Sequence, residues 1–168
     1  QTHVESSVLC LHIYKNNTFI TGERNGNITE WQISKNVDTL SVTPLRRIAK
    51  CESSVFSVNY ANKKQTFIFL CSNGQLYRFD GLSGKLDSVQ ISNEALFSGE
   101  ISYDNLMGVI GCADGIIYLY EKGEQLFNMY NPKLLVGHKS TVRKIRLTKM
   151  SRWIISASKD GTARLWSS

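Results

Sequence analysis

The sequence predicts an all-β fold of repeated antiparallel sheets, and a short motif that recurs four times carries that prediction. An Asx-Gly pair is followed each time, five residues after the glycine, by an aromatic residue: Asn25-Gly26 with Trp31, Asn73-Gly74 with Phe79, Asp114-Gly115 with Tyr120, and Asp160-Gly161 with Trp166. The glycines lie 48, 41 and 46 positions apart, close to the period at which a four-stranded sheet recurs in propeller arrays. The motif therefore indicates four similar units.

The last unit, Gly137 to Ser168, shows how one sheet is built. Thr141 to Leu147 alternates apolar and polar residues, which is typical of a half-buried strand. Trp153 to Ser158 is apolar with small residues, which predicts a strand buried on both faces. Asp160-Gly161 favours a tight turn, because glycine accepts positive φ and aspartate bonds its own backbone. Thr162 to Trp166 alternates again, so three antiparallel strands are predicted.

The residues around this last turn resemble the WD40-repeat family. Gly137-His138 and the run from Ser156 to Trp166, SASKDGTARLW, are similar to the two ends of such a repeat. The resemblance implies a β-propeller blade with a hydrogen-bonded tetrad of His138, Ser156, Asp160 and Trp166. Buried imidazole, hydroxyl, carboxylate and indole groups all need partners. The implied role of this tetrad is structural rather than catalytic.

The first unit has the same spacing, and the two middle units have lost the polar residues. His3, Thr21, Asn25 and Trp31 stand 18, 4 and 6 positions apart, as do the four residues of the last unit. The same steps lead to Cys51, Phe69, Asn73 and Phe79 in the second unit, and to Ser92, Ile110, Asp114 and Tyr120 in the third. We expect apolar packing to replace the tetrad there.

The chain is interpreted as one WD40 propeller segment over residues 1–168, with repeats at about 1–39, 40–83, 84–131 and 132–168. Outer-strand candidates are Leu40 to Ile48, Gly84 to Val89 and Lys133 to Val136. Propellers have about four to eight blades, and the resemblance implies about seven. Four such blades would leave two open edges. We therefore expect part of a larger propeller, with the missing blades supplied by unseen sequence or a partner chain; a free-standing four-bladed ring is the alternative.

Composition places few further limits on function. The chain is 42% hydrophobic and 20% charged, and no apolar run approaches the roughly 20 residues of a membrane span. The four cysteines, Cys10, Cys51, Cys71 and Cys112, show no metal-ligand spacing. Reduced, buried thiols in an intracellular protein of the cytoplasm or nucleus are the expectation. No P-loop, dinucleotide motif, HExxH or GxSxG is present, so neither a cofactor nor a catalytic site is expected.

The net charge of +6 raises the question of an acidic partner. The densest basic group is Lys139, Arg143, Lys144, Arg146, Lys149 and Arg152. If these side chains converge, they could attract an acidic peptide or a phosphate backbone. Solvated strand and turn positions are the simpler interpretation, because no aromatic stacking pattern accompanies the charge.

Two functions from different classes follow from these features. The favoured one is a non-catalytic WD40 protein-interaction scaffold in a multisubunit intracellular eukaryotic assembly. The alternative is a basic propeller subunit associated with nucleic acid or ribonucleoprotein. Candidate partner-binding residues are Lys139, Thr141, Arg143 and Trp153, although for Trp153 a place in the core is the preferred interpretation.

Overall fold

The computed structural model describes residues 6–37, 39–121 and 132–168, which form four separate antiparallel sheets, here called blades 1 to 4. The described residues contain no α-helix. Blade 1 consists of β1 (Val8–Lys15), β2 (Thr18–Glu23), β3 (Asn27–Lys35) and β4 (Leu40–Lys50). Blade 2 consists of β5 (Val55–Ala61), β6 (Thr66–Cys71), β7 (Gln75–Asp80) and β8 (Leu86–Gln90). Blade 3 consists of β9 (Leu96–Ile101), β10 (Met107–Cys112), β11 (Ile117–Glu121) and β12 (Lys133–Leu135). Blade 4 consists of β13 (Val142–Leu147), β14 (Trp153–Ser158) and β15 (Ala163–Ser167). The predicted all-β propeller architecture is confirmed.

The repeated Asx-Gly motif forms the same turn in all four blades. In each, the Asx Oδ1 accepts the backbone N–H two residues later, at 3.0 Å for Asn25, 3.2 Å for Asn73, 2.8 Å for Asp114 and 2.9 Å for Asp160. The four glycines have φ of 87°, 77°, 89° and 82°. A side chain rarely adopts this conformation, so glycine sets the position of each turn.

The core consists of three apolar clusters, and each fills the space between two consecutive blades. Ile20 and Ile28 of blade 1 pack on Val58 and Phe69 of blade 2. The second cluster joins β6 and β7 to blade 3, and the third joins β10 and β11 to blade 4. The inner strands β1, β5, β9 and β13 pack side by side in that order. Because strand side chains alternate between faces, every blade has a leading face toward the preceding blade and a trailing face toward the following one.

In blade 4 the structure contradicts one expectation. Trp153 to Ser158 is not buried on both faces, and Trp153 is not a core residue, since 46% of its surface is exposed. Ile154 and Ser156 are buried on the leading face, whereas Ile155 is exposed on the trailing face. The apolar run is two-sided, as predicted, but a neighbouring sheet covers only one side.

Each inner strand has a register shift near its beginning, and the shifts fall at equivalent positions. The residue that has no partner on the neighbouring strand at the shift is Leu9 in β1, Phe56 in β5, Phe97 in β9 and Arg143 in β13. A β-bulge adds one residue and re-aims its side chain. All four of these residues line one cavity between the inner strands.

Candidate functional site

In blade 4 the four tetrad residues are hydrogen bonded in series. His138 Nε2 lies 2.7 Å from Ser156 Oγ, and His138 Nδ1 lies 2.9 Å from Asp160 Oδ2. Trp166 Nε1 donates to Ser156 Oγ at 2.8 Å. Since the indole is only a donor, one consistent arrangement has the Ser156 hydroxyl donating to His138 Nε2 and His138 Nδ1–H donating to the Asp160 carboxylate. Each buried polar group thus has a partner.

Asp160 connects this series to the turn at the end of β14. Lys139 N–H donates to Oδ2 at 2.9 Å, and the Thr162 hydroxyl donates to Oδ1 at 2.7 Å. These hydrogen bonds, first that from Lys139, hold the pKa of Asp160 well below its usual range. The carboxylate is therefore ionised at neutral pH and fixes the loop before β13 against the turn after β14.

Blade 1 has part of the same arrangement. Trp31 Nε1 donates to Thr21 Oγ1 at 2.8 Å, and Asn25 closes its Asx turn. The predicted fourth member, His3, lies outside the described residues. In the middle blades the position of Ser156 is taken by Phe69 and Ile110, both buried, and Phe79 and Tyr120 stand in place of the tryptophan.

A comparison with family models matches residues 131–167 to the WD domain, G-beta repeat. This segment is a WD40 repeat. The match covers β12 through β15 and includes the complete hydrogen-bonded tetrad. A search of curated proteins finds none that matches the chain. WD40 repeats generally serve in protein-interaction scaffolds without catalytic activity.

The four positions predicted for partner binding do not form one surface. Lys139 contacts the Asp160 turn, and the Thr141 hydroxyl donates to the Ala113 carbonyl at 3.3 Å. Arg143 lines the cavity between the inner strands. Trp153 begins β14 at the opposite end of that strand from Asp160, on the trailing face. These four residues therefore lie in four different environments.

The trailing face of this WD40 blade is an open apolar surface. Its apolar residues are Trp153, Ile155, Ala157, Ala163 and Leu165, all exposed. Ile20, Ile68 and Val109 are equivalent to Ile155 in blades 1 to 3, and they are 0%, 2% and 1% exposed, against 46% for Ile155. A face that three neighbours cover in the other blades is thus open in blade 4.

The leading face of blade 1 is the opposite open end. Leu11 pairs with Thr21, and the equivalent residue of blade 4, Ile145, pairs with Ser156. Ile145 is fully buried against blade 3, whereas 61% of Leu11 is exposed. Ile13 is similarly exposed. Blades 1 and 4 therefore present the two halves of the interface that occurs three times within the molecule.

The turn glycines show the same difference between covered and open positions. A Cβ on Gly26, Gly74 or Gly115 would meet the backbone oxygen of Cys51, Ser92 or His138 in the next blade, at 2.2, 1.9 and 2.6 Å. A Cβ on Gly161 would meet nothing within 4 Å in the described part of the chain. At three turns the following blade packs directly on the glycine, and at the fourth it does not.

The cysteines are free thiols. Cys51, Cys71 and Cys112 are buried, and burial raises the pKa of Cys10 to about 12. Among the described residues, no helix is long and apolar enough to cross a membrane.

Proposed function

We propose that this protein is a non-catalytic interaction scaffold, and that further blades, from a partner chain or from sequence outside residues 1–168, pack on the trailing face of blade 4 and the leading face of blade 1. One observation carries the proposal: residues equivalent to Ile155 are buried in every blade that has a following neighbour. Exposed apolar patches of this kind mark interaction sites on soluble proteins. Full burial of one isoleucine contributes about 1.5–3 kcal/mol, so covering several such side chains gives substantial binding energy.

The partner that fits these faces is another antiparallel sheet. Within the molecule the equivalent faces are covered by a neighbouring blade, not by a helix or an extended segment. Such a blade would bury Ile155 as blade 2 buries Ile20. The free thiols agree with assembly in a reducing, intracellular compartment.

A hydrolytic function is not supported by the one arrangement that resembles a catalytic triad. Ser156, His138 and Asp160 have hydrogen-bond distances suited to such a triad. However, Ser156 and His138 are buried, and Ser156 Oγ already accepts the Trp166 N–H. A substrate carbonyl has no route to this hydroxyl, so we assign the series a structural role.

The nucleic-acid alternative has weaker support. Of the six basic residues between Lys139 and Arg152, three line the cavity between the inner strands. The basic residues are therefore divided between the cavity and other surfaces of blade 4. If RNA binding were the function, affinity for mixed-sequence RNA would fall steeply with salt.

Light scattering after size exclusion tests the scaffold proposal. In the absence of a partner, the trailing face of one copy should pair with the leading face of another, because together they reproduce the internal interface. We expect the wild-type mass to rise with concentration, and the Ile155→Glu/Leu165→Glu variant to remain monomeric. The control, Leu82→Glu, changes an exposed leucine of the β7–β8 turn and should associate like wild type. A wild-type monomer at all concentrations would contradict the proposal.

A further inference from the structure

A cavity of about 550 Å³ lies between the inner strands of all four blades. It is lined by the first halves of β1, β5, β9 and β13, including the four bulge residues. Small-molecule sites in proteins have volumes of about 300–1,000 Å³. The cavity is therefore large enough for a ligand of that class.

The wall formed by β13 is strongly cationic. Arg143, Lys144 and Arg146 line the cavity, and its described lining includes no aspartate or glutamate. Within the described ranges, none of these three side chains has a carboxylate within ion-pair distance. Glu100, the nearby acidic residue of β9, borders a different cavity and accepts the Leu147 N–H at 2.5 Å. Three unpaired cations facing one concave space create a positive potential that attracts anions.

Arg143 is held in place by aromatic rings. Its Cζ lies 4.6 Å from the centroid of the Phe97 ring, and Phe97 stacks on Phe56 with centroids 4.6 Å apart and planes 7° apart. Stacking fixes the plane of a guanidinium while its N–H donors at the edge stay available. The equivalent bulge residues of the other blades are Leu9, Phe56 and Phe97, so this charge is particular to blade 4.

The opposite side of the cavity supplies neutral polar groups. Asn59 Nδ2 donates to Ser57 Oγ at 3.2 Å, which leaves the Ser57 O–H to donate to a ligand. Burial, and then the charge of Arg146, lower the pKa of His12. At neutral pH this histidine is therefore uncharged and offers one N–H donor.

We propose that this cavity binds a small, multiply charged anion bearing phosphate groups, and that Arg143, Lys144 and Arg146 are its cationic contacts. Phosphate oxygens match the planar fork of arginine, and several phosphates can engage three cations at once. Lys144 and Arg146 pair with Ala157 and Ile155 of β14, so the site borders the trailing face, whereas Arg143 enters it from the bulge at the beginning of β13.

Calorimetric titration with inorganic triphosphate tests this site. Loss of a charged hydrogen bond weakens binding by about tenfold or more. We expect Arg143→Gln, and the double variant Lys144→Gln/Arg146→Gln, to lose at least about tenfold in affinity. The control, Arg152→Gln, removes one charge from the same blade outside the cavity lining and should stay within about twofold of wild type. No wild-type binding at millimolar triphosphate, or an equal loss in the control, would overturn the proposal.

Thermal unfolding gives a second readout that separates binding from folding. Triphosphate should raise the Tm of wild type and of Arg152→Gln, but not that of the double variant. If the double variant does not fold, Phe97→Leu serves instead, since it removes the ring under Arg143 without changing charge, and its affinity should fall. Triphosphate binding that persists in Leu165→Glu, a change on the trailing face two strands away from β13, distinguishes this site from the docking faces. Equal displacement of triphosphate by mixed-sequence RNA in wild type and double variant would place anion binding on the outer surface and overturn the proposal.

Discussion

Ile68 and Ile155 occupy the same position in blades 2 and 4, yet one is buried and the other is half exposed. Both lie in the middle strand and both point to the trailing face. The difference is the neighbour: blade 3 covers Ile68, and no described residue covers Ile155 to the same extent. In a repeat protein, burial is set by contacts between repeats and not by position within the repeat.

The leading faces of blades 1 and 4 also differ in burial, depending on whether a preceding blade covers them. Ile145 is fully buried while its equivalent, Leu11, is largely exposed. Blade 4 therefore has one covered and one open face, and this contrast within a single sheet allows matched tests.

The largest effect is expected from truncating the equivalent isoleucines. Ile68→Ala should lower the free energy of unfolding by about 2–5 kcal/mol, because it leaves a cavity in the second cluster. Ile155→Ala should cost less than about 1 kcal/mol, since its side chain is already in contact with water. Urea denaturation of both variants at low protein concentration measures the difference. Equal losses would mean that the trailing face of blade 4 is covered.

A second pair compares two turn glycines. Gly161→Ala should cost about 1–3 kcal/mol, because alanine is strained at positive φ. Gly115→Ala carries the same strain, and its Cβ also meets the His138 carbonyl oxygen at 2.6 Å, so its loss should be larger. Thermal unfolding of the two variants checks this order. If Gly161→Ala were the more destabilising of the two, a packed neighbour at that turn would be required.

Strand order and turns were predictable from sequence, because the Asx-Gly motif needs only local chemistry. Asp160 bonds its own backbone and Gly161 supplies positive φ whatever surrounds them. The exposure of Trp153 was not predictable, since an apolar run looks the same whether one or two sheets cover it. The cavity was missed too, although part of its signal was present: Phe56, Phe97 and Arg143 each lie 18 positions before the turn glycine of their repeat, and Leu9 lies 17 positions before Gly26.

The same substitution on the two faces of blade 4 should have a smaller but distinct effect. Ser156→Ala removes the partner of both His138 Nε2 and Trp166 Nε1, and should cost about 1–3 kcal/mol. Ser167→Ala, on the open trailing face, should stay within about 0.5 kcal/mol of wild type. Denaturant midpoints of the two variants measure this contrast. If Ser156→Ala were as stable as wild type, the hydrogen-bonded tetrad would not stabilise the fold.

The smallest expected effect is a change in pH dependence. The pKa of Asp160 is lowered in the folded protein, so its contribution to stability is present above the unfolded pKa of about 3.9 and is lost as pH falls below that value. Asp160→Asn should therefore show a flatter decline of Tm below about pH 4. An unchanged slope in that range would show that Asp160 is not held ionised by Lys139 and Thr162.

Thiol labelling at equivalent positions shows whether the trailing face of blade 4 is open. Ile155→Cys places a cysteine on the open trailing face of blade 4, and Val109→Cys places one on the covered trailing face of blade 3. The native cysteines should react slowly, because three are buried and the pKa of the Cys10 thiol is raised. A maleimide should label Ile155→Cys rapidly in dilute protein and more slowly as concentration drives association, whereas Val109→Cys stays slow throughout. Slow labelling of Ile155→Cys in the most dilute sample would mean that this face is covered, and a rate that does not change with concentration would mean that it does not mediate association.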